Sequence, residues 1–221
     1  MSLLSSRAWR TILPLFIVSL LPFVTSAMRT HWVLTTSPET IDDPSFMHFL
    51  EMPWPILSHM IGGSLFCLIA IVQFTPETRQ ALGRWHPRLG RIAILAGMTA
   101  ALSGVWMVIY HPANALTLPI MSAGRFLFGL AMALSICLAM IAAGRRQFQH
   151  HRAWMMRAFA LATAGATQGV LIMAHSALTG TMTAQAIALF AWVGWTINIA
   201  VVEALIVRAN RLAPLRSPRT A

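Results

Sequence analysis

The sequence contains no lysine and very few acidic residues. All 16 of its basic residues are arginine, six residues are acidic, and charged residues make up 10% of the 221 positions. A soluble domain usually carries about 25% charged residues. Because 57% of the residues are hydrophobic and the mean hydropathy is +0.68, the composition excludes an ordinary soluble domain and indicates a membrane protein.

Cysteine and the motifs of common enzyme classes are also scarce or absent. Cys67 and Cys137 both lie in apolar runs, where a lone cysteine packs as a small hydrophobe, so we expect neither a disulfide nor a cysteine metal site. There is no phosphate-binding loop, HExxH motif or nucleophile elbow. Only one carboxylate, Glu203, falls within a predicted span, and no inverted repeat is apparent, which gives no support to a proton-driven transporter.

Apolar residues instead form six runs, each long enough to cross a bilayer core of roughly 30 Å. They predict an all-α, polytopic membrane helix bundle with six transmembrane helices, at 11–27, 54–75, 92–110, 118–143, 158–179 and 184–207. The first run is either a retained transmembrane helix or a cleaved signal peptide, and cleavage would leave five helices. Its length of 17 residues favours the retained helix. The expected regions are 1–27 (signal-anchor or first helix), 28–53 (periplasmic loop), 54–207 (membrane core) and 208–221 (basic tail).

The arginines predict how the chain is oriented. With the N-terminus inside, every arginine except Arg29 and Arg125 falls in an inside segment. The positive-inside rule therefore predicts that both termini lie in the cytoplasm. Cytoplasmic arginines beside anionic lipid headgroups contribute about 1 kcal/mol each, so the expected partner is the bilayer and not nucleic acid.

Ionisable groups inside spans are costly, and each is a candidate functional residue. His59, His111, His175 and Arg125 are predicted to reach the outer leaflet from four separate elements. His59 and His175, at equal depth, are candidate axial ligands of a b-type haem, and Arg125 is a candidate partner for a haem propionate. The alternative without a cofactor is that each histidine bonds to water or a lipid headgroup, and that Arg125 extends outward to the interface.

A second polar set lies on the cytoplasmic side. His86 and His151 are further candidate cofactor ligands there. We expect Glu203 to pair with Arg91 or Arg157, because an unpaired carboxylate would be costly at that depth. The structural polar residues of the spans are Gln73, Arg91, Arg157, Asn198 and Glu203.

Glycines repeat along the third helix. Gly90, Gly97, Gly104 and His111 are spaced by seven residues and so share one face. Close helix packing is the favoured explanation, and the alternative is that the glycines leave room for a flat macrocycle.

Methionine offers a rival metal site on the outer face. Thioether and imidazole ligands together suit Cu(I). The residues concerned are Met47, His48, Met52, His59, Met60, Met173 and His175. Methionines in a membrane protein more often pack against their neighbours.

Several short blocks resemble a known family. They are His59 with Gly62 and Gly63, Gln73-Phe74, Arg79, the HPRLGR segment at 86–91, the HRAWMMR segment at 151–157, and the closing Trp192, Trp195, Asn198 and Glu203. Together they resemble the bacterial predicted membrane proteins called domain of unknown function 2306, over roughly residues 55–207. The resemblance implies a multi-pass protein of the bacterial inner membrane and singles out His59, His86, His151, Arg157, Asn198 and Glu203, but it implies no reaction. The chain departs from the family at Gln168, where an arginine is usual, and His175 is not a family feature.

The leading hypothesis is a membrane haem b or metal protein with an electron-transfer role and a membrane redox partner. Two alternatives stay open, a non-catalytic membrane scaffold or accessory subunit, and copper handling at the periplasmic face. The sequence does not decide whether the protein is an enzyme.

Overall fold

The computed structural model describes residues 6–41, 44–110 and 118–212, and within these ranges the chain is helical with no strand. The elements are α1 (Ser6–Thr35), a 3₁₀ turn (Pro38–Thr40), α2 (Pro44–Glu51), α3 (Trp54–Gln73), α4 (Pro76–Leu82), α5 (Trp85–Tyr110), α6 (Pro119–Gly144), α7 (Phe148–Ala162), α8 (Ala164–Thr179) and α9 (Ala184–Leu212).

Six segments of the described chain are long and apolar enough to cross a membrane, namely α1, α3, α5, α6, α7 together with α8, and α9. The prediction of an all-α bundle with six spans is therefore confirmed. Large apolar side chains such as Leu95 and Leu178 are exposed on the outside of the bundle. An apolar exterior of this kind contacts the lipid bilayer.

Several helices extend further than their apolar runs. The first continues to Thr35, so the predicted loop 28–53 begins as helix and also contains α2. The third span begins at Trp85 and not at residue 92, and α7 begins at Phe148 within a predicted basic loop. Bilayer thickness limits the apolar part of a helix and not the helix itself, and arginines and histidines are solvated at its ends.

Adjacent spans run antiparallel, which gives the bundle two distinct ends. His59 near the start of α3 contacts Ala100 near the end of α5, whereas Gln73 at the end of α3 bonds to His86 at the start of α5. We call the end where α5 and α7 begin the arginine-rich side. The arginine-poor side is the end where α3 and α6 begin.

The centre of the bundle is a close packing of α3, α5 and α6. A Cβ atom built at Gly97 would lie 2.8 Å from Phe66 and 2.9 Å from Ile136, whose side chains are 0% and 1% exposed. A Cβ at Gly104 would lie 3.1 Å from the His59 ring. These glycines therefore make room for neighbouring side chains, which confirms close packing for them, whereas Gly90 has no such neighbour within 4 Å.

Candidate functional site

The fifth span is interrupted at Thr163, between α7 and α8. The Thr163 hydroxyl donates to the backbone oxygen of Phe159 at 2.9 Å. Across the bundle, Asn198 Nδ2 donates to the oxygen of Ala160 at 2.9 Å, and Asn198 Oδ1 accepts from the Thr167 hydroxyl at 2.7 Å. Backbone groups in a membrane must be satisfied internally, so Asn198 stabilises both sides of this break.

Glu203 of α9 forms an ion pair with Arg157 of α7. Arg157 donates from Nε at 2.6 Å and from a terminal nitrogen at 2.9 Å, and its guanidinium carbon lies 4.4 Å from the centre of the Trp154 ring. Arg91 instead donates to Pro87 of its own helix at 3.4 Å. Of the two predicted partners, Arg157 is confirmed, and the pair ties α7 to α9.

The tryptophans of the closing block pack α9 against α6. Trp192 donates from its ring nitrogen to the oxygen of Ile120 at 2.9 Å, and Trp195 stacks on Phe128 with ring centres 4.7 Å apart. A Cβ at Gly124 would lie 2.8 Å from Trp195. These residues hold α6 and α9 together. The sequence analysis did not identify Gly124 as one of them.

On the arginine-poor side, His59 is fixed against α5. Its Nδ1 lies 2.7 Å from the oxygen of Ala100, and since that oxygen can only accept, Nδ1 carries a proton. Arg125 lies on α6, and its proximity to His59 stays a prediction.

The other outer-face candidates have different neighbours. His175 of α8 contacts Phe190 of α9, with ring centres 5.3 Å apart, whereas His59 contacts α5. These contacts do not bring the two imidazoles together, and their pairing as haem ligands stays a prediction. His111 lies outside the described residues.

The methionines of the proposed copper site are similarly dispersed. Met60 packs with Met107 against the apolar cluster of Val33, Ile56 and Leu57, whereas Met173 is exposed. The part of the chain that the structure describes contains no group of three or more His, Cys, Asp or Glu side chains placed to hold a metal ion. Copper handling stays a prediction, and packing already accounts for Met60.

On the arginine-rich side, four residues form what we call the histidine cluster, namely Gln73, Arg79, His86 and His151. Gln73 donates to the backbone oxygen of His86 at 3.3 Å. His151 holds its own Nδ1 at 2.9 Å from the oxygen of Ala139 on α6. Two imidazoles from separate spans therefore lie at the same end of the bundle.

One atom in this cluster lacks a partner. Nδ1 of His86 is buried and, among the residues described, makes no hydrogen bond. A buried polar atom left unpaired costs about 1–3 kcal/mol, and in native proteins it calls for an explanation. By contrast, His151 has the arrangement usual for a metal-ligating histidine, with one ring N–H given to a backbone oxygen and the other nitrogen available.

Arg79 adds a positive charge at the same end of the bundle. Its guanidinium carbon lies 5.7 Å from the centre of the Phe148 ring at the start of α7. Arginine binds carboxylates through two parallel hydrogen bonds. The cluster therefore combines two candidate metal ligands with one group suited to an anionic substituent.

A comparison with family models supports the resemblance noted above. The model described as "Predicted membrane protein (DUF2306)" matches residues 56–206, about two thirds of the chain. No curated protein and no solved structure is detectably similar to this chain. The match includes both histidines of the cluster and stops three residues after Glu203. The chain belongs to the DUF2306 family of predicted membrane proteins.

Proposed function

We propose that this membrane protein binds a b-type haem at the histidine cluster, with His86 and His151 as axial ligands, and carries single electrons in the membrane. The observation that carries the proposal is the buried, unpartnered ring nitrogen of His86, at the end of the bundle where His151 of a separate span also lies. Two histidines on facing helices are suited to ligate a haem iron.

The residues of the cluster have distinct roles in this proposal. The Ala139 oxygen orients the His151 ring and fixes its tautomer, so that Nε2 is left as the ligand atom. Gln73 holds the backbone of His86, and Arg79 is placed to pair with a propionate. When bound, the haem supplies an iron that alternates between ferric and ferrous states, with membrane redox partners as donor and acceptor.

The location is part of the proposal. The arginine-rich side faces the cytoplasm of a bacterium, and both termini lie there, in the inner membrane. The support is the distribution of arginine along the chain, with only Arg29 and Arg125 on the other side or in its half of a span.

The test is an absorbance spectrum of the full-length protein, purified in detergent after expression with ample haem. We expect an α band on dithionite reduction and close to one haem per chain by pyridine haemochrome assay. His86→Ala and His151→Ala should each remove most of the haem. His150→Ala is the matched control, because it is an exposed histidine beside His151 on the same helix, and it should retain the haem.

Two results would contradict this proposal. A featureless spectrum from folded protein would exclude haem and favour the non-catalytic scaffold, which the many interhelical polar contacts also support. If His59→Ala and His175→Ala removed the α band while the cluster variants kept it, the ligands would be the outer pair. Circular dichroism and size-exclusion profiles of each variant establish that lost haem does not result from unfolding.

A further inference from the structure

The turn between α6 and α7 contains an arginine in a backbone conformation that favours glycine. Arg146 has a φ of 59°, and of the described residues with a positive φ it alone is not glycine. Its N–H donates to the oxygen of Ala143 at 3.0 Å, and the N–H of Gln147 donates to the oxygen of Ala142 at 2.8 Å. Glycine is the usual residue at this position of a helix C-terminal turn, because a Cβ atom is strained there. The backbone of the turn therefore gives no reason for an arginine, and its side chain has to supply one.

Three exposed arginines lie at this turn, namely Arg145, Arg146 and Arg152. None of the three forms an ion pair within the described ranges. Carboxylates are few on the arginine-rich side, because four of the six acidic residues lie between α1 and α3 and Glu203 is bound to Arg157. The turn therefore presents a positive charge that is available to an anion from outside the protein.

An exposed aromatic ring lies at the same turn. Phe148 is the first residue of α7, and it remains 55% exposed although the Arg79 guanidinium lies 5.7 Å from its ring centre. Arg152 is four residues further along α7, and residues with this spacing are neighbours on a helix surface. Apolar rings beside basic side chains are typical of protein surfaces that lie in the membrane interface, with the ring among acyl chains and the charges among headgroups.

The length of α6 places the turn at the level of the headgroups. The helix has 26 residues, which is about 39 Å at 1.5 Å per residue. The hydrocarbon core is about 30 Å thick, and the bilayer with its headgroups is about 40–45 Å thick. The ends of this membrane-spanning helix therefore reach the headgroup layer, where the anions are lipid phosphates. This position favours a lipid over a soluble protein as the partner of the turn.

We infer that the α6–α7 turn binds the headgroup of an anionic phospholipid through Arg145, Arg146 and Arg152, with Phe148 among the acyl chains. A guanidinium binds a phosphate through paired hydrogen bonds. Such a site differs from the general attraction of the arginine-rich side for the membrane, because it explains an arginine at a position that favours glycine. The inference is independent of haem binding, since none of these residues belongs to the histidine cluster.

The test uses the full chain in detergent and measures lipid binding and stability separately. Native mass spectrometry compares equal amounts of phosphatidylglycerol and phosphatidylcholine, and we expect the wild type to prefer phosphatidylglycerol at least about tenfold. Arg146→Gly should lower this preference about fivefold, the contribution of one arginine near an anionic surface. The same variant should unfold about 2–4 °C higher than the wild type after delipidation, because glycine relieves the left-handed backbone. Arg146→Lys keeps the charge and the Cβ atom, so it should retain part of the preference and leave Tm unchanged.

The matched control is Arg88→Gln. Arg88 is an exposed arginine on the same side, but it lies within α5 and its guanidinium stacks on Trp85 at 5.0 Å, so the lipid preference should be almost unchanged. The inference is overturned if Arg146→Gly keeps the wild-type preference, or if Arg88→Gln lowers the preference equally, since the attraction would then be spread over the whole side. A lower Tm for delipidated Arg146→Gly would show that the arginine itself stabilises the turn and would also overturn it. Displacement of phosphatidylglycerol by polyglutamate would assign the turn to an acidic protein and count against the lipid.

Discussion

Replacing Asn198 by leucine tests how the broken fifth span is stabilised. Leucine has a similar volume and suits a lipid-facing or buried position, but it neither donates nor accepts. The substitution removes the bond to the Ala160 oxygen at 2.9 Å and the bond from the Thr167 hydroxyl at 2.7 Å. It leaves the Ala160 oxygen with only the Thr163 hydroxyl as donor, at 3.4 Å, in a region where water is scarce.

The expected loss of stability in Asn198→Leu follows from those two hydrogen bonds. Hydrogen bonds between helices in membranes contribute about 0.6 kcal/mol on average and up to about 1.7 kcal/mol. An acceptor left unpaired costs about 1–3 kcal/mol, and the long bond from Thr163 keeps the cost for the Ala160 oxygen at the low end of that range. Asn198→Leu should therefore lower the free energy of unfolding by about 1–3 kcal/mol, and Thr167→Val, which removes one bond only, should cost about 0.5–1 kcal/mol.

The assay is reversible unfolding in mixed detergent micelles, followed by circular dichroism. Thr196→Val is the control on the same helix, because its hydroxyl is exposed and bonds only to Trp192 one turn earlier; it should change stability by less than about 0.5 kcal/mol. In a double-mutant cycle, Asn198 and Thr167 should be coupled. If Asn198→Leu were as stable as Thr196→Val, the break would not depend on this side chain.

Two further predictions concern the packing and the ion pair of the same bundle. Gly97→Ala places a Cβ 2.8 Å from Phe66 and should lower the free energy of unfolding by about 1–3 kcal/mol. Gly90→Ala, with nothing within 4 Å of the new Cβ, should leave stability unchanged or raise it slightly in the same unfolding assay. Equal effects of the two substitutions would contradict the packing argument. Glu203→Gln removes the charge that pairs with Arg157, and since the two side chains are 41% and 23% exposed, the loss should be about 1 kcal/mol or less and should shrink as salt is added. A loss that did not change with salt would point to packing and not to charge.

The sequence alone predicted those features of the fold and of the ion pair that depend on local chemistry. Six spans follow from apolar run length, and the partner of Glu203 was narrowed to two arginines because a carboxylate at that depth requires one. Choosing Arg157 over Arg91 required the register of α7 against α9, which depends on contacts between distant residues. The helix ends were placed less well, because arginine-bearing turns at Trp85 and Phe148 are helical without being apolar.

Other features of the candidate sites depend on backbone atoms, which the identity of a side chain does not reveal. The acceptors that orient His59 and His151 are the backbone oxygens of Ala100 and Ala139, and any residue type supplies such an oxygen. The break at Thr163 has no proline beside it. The Ala160 oxygen beside it bonds to Asn198, a residue of another span, and no pattern within the fifth apolar run indicates that partner.

The polar groups within the spans divide according to whether the protein itself satisfies them. Asn198 and Glu203 have partners on neighbouring helices, and helix packing is a sufficient reason for them. His86 and Arg125 do not, among the residues described, and an unpaired polar group at membrane depth is the kind that a ligand satisfies. Along α5, His86 and Gly104, which packs against the His59 ring, are 18 residues apart, or about 27 Å, close to the thickness of the hydrocarbon core. Sites so far apart and without shared partners should behave additively, so His59→Ala should leave the haem content of the histidine cluster unchanged.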